Sequence, residues 1–151
     1  MNISSSAFKN GANIPATYTC DGENINPPLM FSDVPKETIS LALIMEDPDV
    51  PSNVRADNMW NHWIVFNISP QVVGIEEGIE PTGTHGITTS GKLKYGGPCP
   101  PDRRHRYFFK LYALNTLLDL PEGVSKLVLE KAMEGHILAR AGLMGTYARG
   151  K

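Results

Sequence analysis

Three stretches of this chain combine acid, imidazole and phenol side chains with stiff turns. The first is Asp47-Pro48-Asp49-Val50-Pro51, two carboxylates two residues apart on a loop stiffened by proline. The second is Asn61-His62-Trp63. The third runs from Tyr95 to Leu114, YGGPCPPDRRHRYFFKLYAL, where two glycines and three prolines precede His105-Arg106-Tyr107. Glycine admits close approach of a ligand to the backbone, and proline fixes φ, so this loop is built to hold an imidazole and a phenol rigidly. Turn chemistry explains the Gly and Pro residues and one Asp, but not a second Asp on the same stiffened loop. It requires neither of the histidines.

Imidazoles, backbone N–H groups and a tyrosine hydroxyl all donate hydrogen bonds to an anion. Neighbouring aspartates orient the rings and raise histidine pKa values. The ligand predicted from these residue types is a phosphate-type or carboxylate anion, with the aspartates left to meet an amine on the same molecule. Two Asp and two His could instead hold Zn²⁺ or Mn²⁺, but no HxH or HExxH spacing supports a metal site. Paired carboxylates beside histidine could also do acid–base work on phosphate or acyl esters. Against a hydrolase stand the missing nucleophile elbow and a choice of nucleophile limited to Tyr107 and Cys99, neither with a recognisable activating neighbour. The expectation is a binding protein without cofactor.

The elements that must position these groups are strands. Ile39 to Met45 is an apolar run of strand length that ends just before Asp47. Trp63 to Ile68 begins just after His62, and Tyr107 to Leu114 begins just after His105. Runs this apolar predict central strands covered on both faces, with Leu29 to Phe31 a further short strand. If the three are antiparallel neighbours, the end of one and the starts of the other two fall on one edge of the sheet, and the acids meet both histidines there. Ser125 caps a predicted helix through Met133, with Leu127, Leu129, Ala132 and Met133 as its apolar stripe. A further helical turn over 136–140 and a closing strand over 143–148 complete the pattern. Residues 82–94 read as a polar loop.

The chain of 151 residues, 41% hydrophobic and 20% charged, is the size of one globular domain. A net charge of −2 gives no global field for nucleic acid, and no apolar run is long enough for stable membrane insertion. The basic run Arg103, Arg104, Arg106 comes without an aromatic stacking platform, so it reads as a solvated face. The start MNISSSAFKNG lacks an apolar core, which predicts a cytoplasmic protein. Cys20 and Cys99, 79 residues apart, are expected there as free thiols.

Taken together, DPDVP at 47–51, HW at 62–63 leading into WIVFNI, and GGPCPP followed by HRYFFKLYAL resemble the phosphatidylethanolamine-binding protein (Raf kinase inhibitor protein-like) family. The short bacterial and archaeal branch is the nearest likeness, and it covers nearly the whole chain as one domain, 1–151. The resemblance implies a mainly β fold: a large central antiparallel sheet, a smaller second sheet and short C-terminal helices. It implies a small pocket for phosphate-type anions and phospholipid headgroups, lined by Asp47, Asp49, His62, Gly97, Pro98, His105 and Tyr107. A cis peptide at Val50–Pro51, a homodimer, and a protein target such as a kinase or serine protease are further implications. A loop-borne inhibitor, with 82–94 as its loop, is the alternative function. The chain departs from the family pattern PPxGxH, carrying Arg103 where glycine is usual, which adds positive charge beside the pocket.

Overall fold

The computed structural model describes residues 1–150. Eight strands and one helix follow one another as β1 (Asn2–Ser4), β2 (Leu29–Ser32), β3 (Ser40–Asp47), β4 (Trp60–Ile68), β5 (Gly74–Ile75), β6 (Thr84–His85), β7 (His105–Leu114), α1 (Lys126–Met133) and β8 (Ile137–Tyr147). A single 3-10 turn lies at Ala16–Tyr18. The large sheet has the order β6-β4-β3-β7-β8 and the small one β1-β2-β5, and every pairing between named strands is antiparallel.

β3 is buried along its whole length, as its unbroken apolar run requires. Leu41, Leu43 and Met45 face the small sheet and join Trp63, Val65, Phe109 and Leu111 in the larger core. Ala42 and Ile44 face the other way and pack with Ile64, Phe66 and Leu114 beneath Leu129 and Met133 of α1. The molecule is therefore three layers, small sheet on large sheet on helix. Glu46 points into the helix layer almost fully buried. Lys126 at the start of α1 (3.1 Å) and Lys110 on β7 (3.2 Å) both reach it. A buried carboxylate needs such partners, and this one ties the helix to the central strand.

α1 has the expected Ser125 cap, whose hydroxyl accepts from the Val128 N–H at 3.3 Å. Its buried stripe is Leu129 and Met133, one helical turn apart, while Leu127 is exposed. The helix stops at Glu134, and Gly135 takes φ +79°. The helical turn predicted over 136–140 does not form. β8 begins at Ile137 and pairs with β7 from Leu114↔Ile137 to His105↔Tyr147. Pairing along a whole neighbouring strand overrides the helix propensity of Leu, Ala and Arg. The outer edge of β8 is covered at one end by residues 11–14, through Gly11 N–H to Met144 O (2.7 Å) and Ile14 N–H to Thr146 O (2.7 Å). Gly145 permits this: a Cβ there would stand 2.5 Å from Ile14 Cγ1.

Two further expectations are corrected. Among the described residues every peptide bond is trans, Val50–Pro51 included. Cys20 and Cys99 are not free thiols but are bonded to each other. Their spacing along the chain says nothing about their distance in space, and the fold lays the loop after Tyr95 directly on the segment after Tyr18. Among the described residues no helix is long and apolar enough to cross a membrane.

A disulfide closing a loop of 79 residues restricts the unfolded chain strongly. Replacing both cysteines with serine is expected to lower unfolding stability by about 2–4 kcal/mol. Urea unfolding of the wild-type protein with reductant should reproduce the loss; equal midpoints with and without reductant would show the bond to be absent in solution.

Candidate functional site

The antiparallel pairing of β3 with both β4 and β7 brings the end of β3 beside the starts of the other two, with Glu46 opposite Asn61 on one side and Phe108 on the other. Asp47, His62 and His105 thus meet at one end of the large sheet, where a cavity of about 410 Å³ opens. Its wall includes all three, together with Gly97 and Tyr107.

His62 reaches this cavity through an irregularity. Met45 pairs with Trp63 and Glu46 with Asn61, leaving His62 as an extra residue in β4. Strict alternation would turn His62 to the helix side with Ile64 and Phe66. The bulge re-aims it to the cavity face, a common use of bulges. The Gly96 N–H donates to the His62 carbonyl (3.0 Å) and the His62 ring Nδ1 donates to the Gly96 carbonyl (2.7 Å). Because a carbonyl only accepts, Nδ1 carries the proton and Nε2 keeps its lone pair. Burial, opposed by the Gly96 bond and aided by the charge of His105, lowers the ring's pKa from 6.5 to about 4. His62 is a neutral acceptor at neutral pH.

The opposite wall is the loop 95–99, pinned to the segment 18–24. The Tyr95 hydroxyl donates to Tyr18 O (2.7 Å), the Gly97 N–H to Asn24 Oδ1 (2.8 Å) and the Cys20 N–H to Pro98 O (3.1 Å), with the disulfide beside them. Gly97 must be glycine, since a Cβ would fall 2.2 Å from Tyr18 O. Glu80 steadies the loop from behind by accepting from Tyr95 N–H (2.9 Å) and Trp63 Nε1 (2.9 Å).

His105 is fully buried and bonded at both ring nitrogens, Nδ1 to Asp47 Oδ2 at 2.6 Å and Nε2 to Asp102 Oδ1 at 2.7 Å. The other oxygen of Asp47 accepts the Asp49 N–H at 2.8 Å. Burial pushes the Asp47 carboxyl up, partly offset by the His105 and Asp49 bonds. The His105 bond holds the exposed Asp102 carboxyl down. Tyr107 lies against both imidazoles, 5.3 Å from the His62 ring and 6.4 Å from His105. Its hydroxyl is buried and meets no acceptor in hydrogen-bond geometry; burial, then the charge of the nearby Asp47 carboxylate and a weak contact with it, raises its pKa so that it stays a neutral hydroxyl.

The residues singled out from sequence are thus divided. Asp47, His62, Gly97, His105 and Tyr107 border the cavity. Asp49 and Pro98 are not among the lining residues. Asp49 is held by Arg106 through its backbone N–H (2.9 Å), Nε (3.0 Å) and a terminal nitrogen (2.8 Å), and that hydrogen bonding lowers its pKa. Neither aspartate is left to meet an amine, because histidine, arginine and backbone donors already occupy both. Arg103 lies exposed, donating to Asp49 O (3.3 Å) and Arg104 O (3.2 Å), with its Nε 3.8 Å from Asp102 Oδ2. Arg55 and Asp57, on the loop after β3, join at 2.9 Å. Sequence reasoning missed Asn24, Glu80, Asp102 and the disulfide. Only Asp102, three residues before His105, had a readable position. Among the described residues no group of three or more His, Cys, Asp or Glu is placed to hold a metal ion.

The depressed His62 pKa has a sign. Below pH 6.5 the unfolded chain takes up a proton that the folded ring refuses until about pH 4. His62 is therefore expected to lower stability progressively as pH falls through that window, by on the order of 3 kcal/mol. Urea unfolding at stepped pH should show a shallower decline for His62→Gln than for wild type between pH 6.5 and 4; parallel curves would refute the neutral buried ring.

The chain matches the model of the phosphatidylethanolamine-binding protein family over residues 4–148. A UPF0098 protein of Chlamydia muridarum is 56% identical over 147 residues, spanning 97% of this chain and 98% of the relative. One from Methanothermobacter thermautotrophicus is 51% identical over 156 residues, spanning 99% and 100%. The crystal structure of CT736 from Chlamydia trachomatis, described as a phosphatidylethanolamine-binding protein homologue, matches with a TM-score of 0.96 at 52% identity, covering 99% of this chain and 97% of that one. That of Escherichia coli YbcL, described as a new member of the mammalian family, matches at 0.88 with 28% identity, covering 99% and 98%. With fold, site order and relatives in agreement, this chain belongs to the phosphatidylethanolamine-binding protein family, in the branch shared by bacteria and archaea.

Proposed function

We propose that this chain is a ligand-binding protein whose cavity takes a small phosphate-type anion, free or as a phospholipid headgroup, and releases it unchanged. The observation that carries this reading is the Tyr107 hydroxyl, buried without a partner on the wall of the cavity. Leaving a buried polar group unsatisfied costs about 1–3 kcal/mol, and a bound oxyanion supplies the missing acceptor. The lone pair on His62 Nε2 complements it by accepting the hydrogen of a singly protonated free phosphate or phosphomonoester, or an ammonium N–H of a phosphodiester headgroup, which carries no P–OH. Asn61 Oδ1, also buried without a partner and on the same cavity, is an acceptor suited to the ammonium of an ethanolamine headgroup, the role that Asp47 and Asp49 do not fill. Val50, Val54, Trp60 and Pro101 give the rest of the wall its apolar character. The volume suits a headgroup-sized ligand.

Occupancy of this end of the sheet is the route by which such a ligand would regulate a partner protein. The inhibitor reading draws no comparable support. Most of the 82–94 stretch is tied down through Gly86 N–H to Ile64 O (2.9 Å), Ile87 N–H to Val124 O (2.9 Å) and Thr89 N–H to Asn61 O (3.0 Å), and the exposed tip at 90–94 is closed by Thr88 N–H to Lys92 O (2.9 Å).

Trp60 lines the cavity and reports on its filling. Phosphate or O-phosphoethanolamine titrated against tryptophan fluorescence is expected to give a saturable change without turnover. Tyr107→Phe is expected to raise ligand-free stability by about 1 kcal/mol, because it removes an unsatisfied hydroxyl, and to weaken phosphate binding tenfold or more. Undiminished binding in the folded variant would defeat the proposed use of Tyr107.

A further inference from the structure

Asp102 does not itself line the cavity, but it holds a ring nitrogen of His105, which does. His105 is fully buried, and Asp102 Oδ1 stands 2.7 Å from its Nε2. With that carboxylate in place, no ligand atom reaches Nε2. A neutral imidazole has a single N–H, so bonds from both ring nitrogens to two carboxylates require two protons among the three groups. Whether these make an imidazolium between two carboxylates or a neutral ring beside one protonated acid, the set Asp47–His105–Asp102 carries one net negative charge.

The two carboxylates are not equivalent. The Asp47 side chain is 4% exposed, and its two oxygens hold His105 and the Asp49 N–H. The Asp102 side chain is 40% exposed, and among the described residues its one ion-pair partner beyond His105 is Arg103, whose Nε lies 3.8 Å from Oδ2. Asp47 is fixed, and Asp102 is free to exchange.

We propose that Asp102 is an internal stand-in for the anionic ligand: its carboxylate caps His105 Nε2 in the empty protein, and a phosphate-type oxyanion binds by displacing it. The inference rests on the anion-pocket reading and deepens it. The exchange substitutes one oxyanion for another on the same donor, so His105 needs no further proton and the cavity no added cation. Among the described residues no lysine or arginine lines the cavity, in keeping with such a substitution. Arg103, which stands where the family pattern has glycine, is placed to keep the released Asp102 carboxylate paired at the rim. Asp102 thereby sets the affinity threshold: weak anions leave the cap closed, and only a ligand that also satisfies Tyr107 and His62 opens it.

The test is calorimetric titration of inorganic phosphate into wild type, Asp102→Ala and Asp102→Asn, with Asp102→Ala/His105→Ala as control and circular dichroism to establish folding. Asp102→Ala is expected to bind phosphate at least tenfold more tightly than wild type, with the gain abolished in the double variant. Asp102→Asn keeps an amide oxygen for Nε2 and is expected to gain several-fold less than Asp102→Ala. Acetate, a carboxylate without the tether, should compete with phosphate in Asp102→Ala and not in wild type. Equal gains in the Ala and Asn variants would mean that only a negative charge had been removed, and would overturn the stand-in. Equal or weaker binding by Asp102→Ala, with wild type binding saturably, would overturn it while leaving the anion pocket in place. Absence of binding in all folded proteins would overturn both. A parallel titration with glycerophosphoethanolamine separates the sources, since a phosphodiester binds only if the cavity accepts a lipid headgroup.

Discussion

The cavity depends on β3 being paired antiparallel on both of its sides. That constraint places the end of one buried strand against the starts of two others, and so collects Asp47, His62 and His105 although they are scattered over 59 positions of sequence. Each strand is locked by burial, with β3 covered on both faces and β4 and β7 contributing Trp63, Phe66, Phe109 and Leu111 to the two cores. A slip of one residue in either pairing would turn every side chain to the opposite face, and the acid and imidazoles would separate. The hydrophobic core is thus also the positioning device of the site.

Within that frame the two histidines take different parts. His62 is fixed by a reciprocal pair of bonds with Gly96 and kept neutral by burial, so it offers a lone pair. His105 is held between two carboxylates as a donor at both nitrogens, or as the centre of a shared proton chain. Tyr107 lies between them with an unspent hydroxyl. One neutral acceptor, one donor and one free hydroxyl in an otherwise largely apolar hollow are the groups on which the proposed oxyanion reading rests. They lack an activated nucleophile, since the disulfide removes Cys99 and burial keeps Tyr107 protonated.

Much of the frame was legible in the sequence because its strands are long apolar runs bounded by Pro, Asp and Ser, and because their order implied one shared edge. The Ser125 cap and the end of the helix near Gly135 were legible for the same local reasons. What was not legible depends on distance in space or on competition between elements. The disulfide joins cysteines 79 residues apart. The start of β8 at Ile137 follows from pairing with β7 rather than from its own composition. Asp49 looked like a ligand group because its captor, Arg106, is 57 residues away. The bulge that turns His62 inward exists only as a mismatch between two strands. Family resemblance supplied Gly97, for which the structure gives the physical reason: a close approach to the Tyr18 carbonyl that tolerates no Cβ.

The most direct test is a crystal structure of the protein soaked with O-phosphoethanolamine. The expected result is one phosphoryl group in the cavity, with an oxygen within hydrogen-bond distance of the Tyr107 hydroxyl and its P–OH on His62 Nε2. A cavity holding only water under conditions where the ligand binds in solution, or a phosphoryl group seated elsewhere with Tyr107 still unpartnered, would contradict the assignment of this hollow as the binding site.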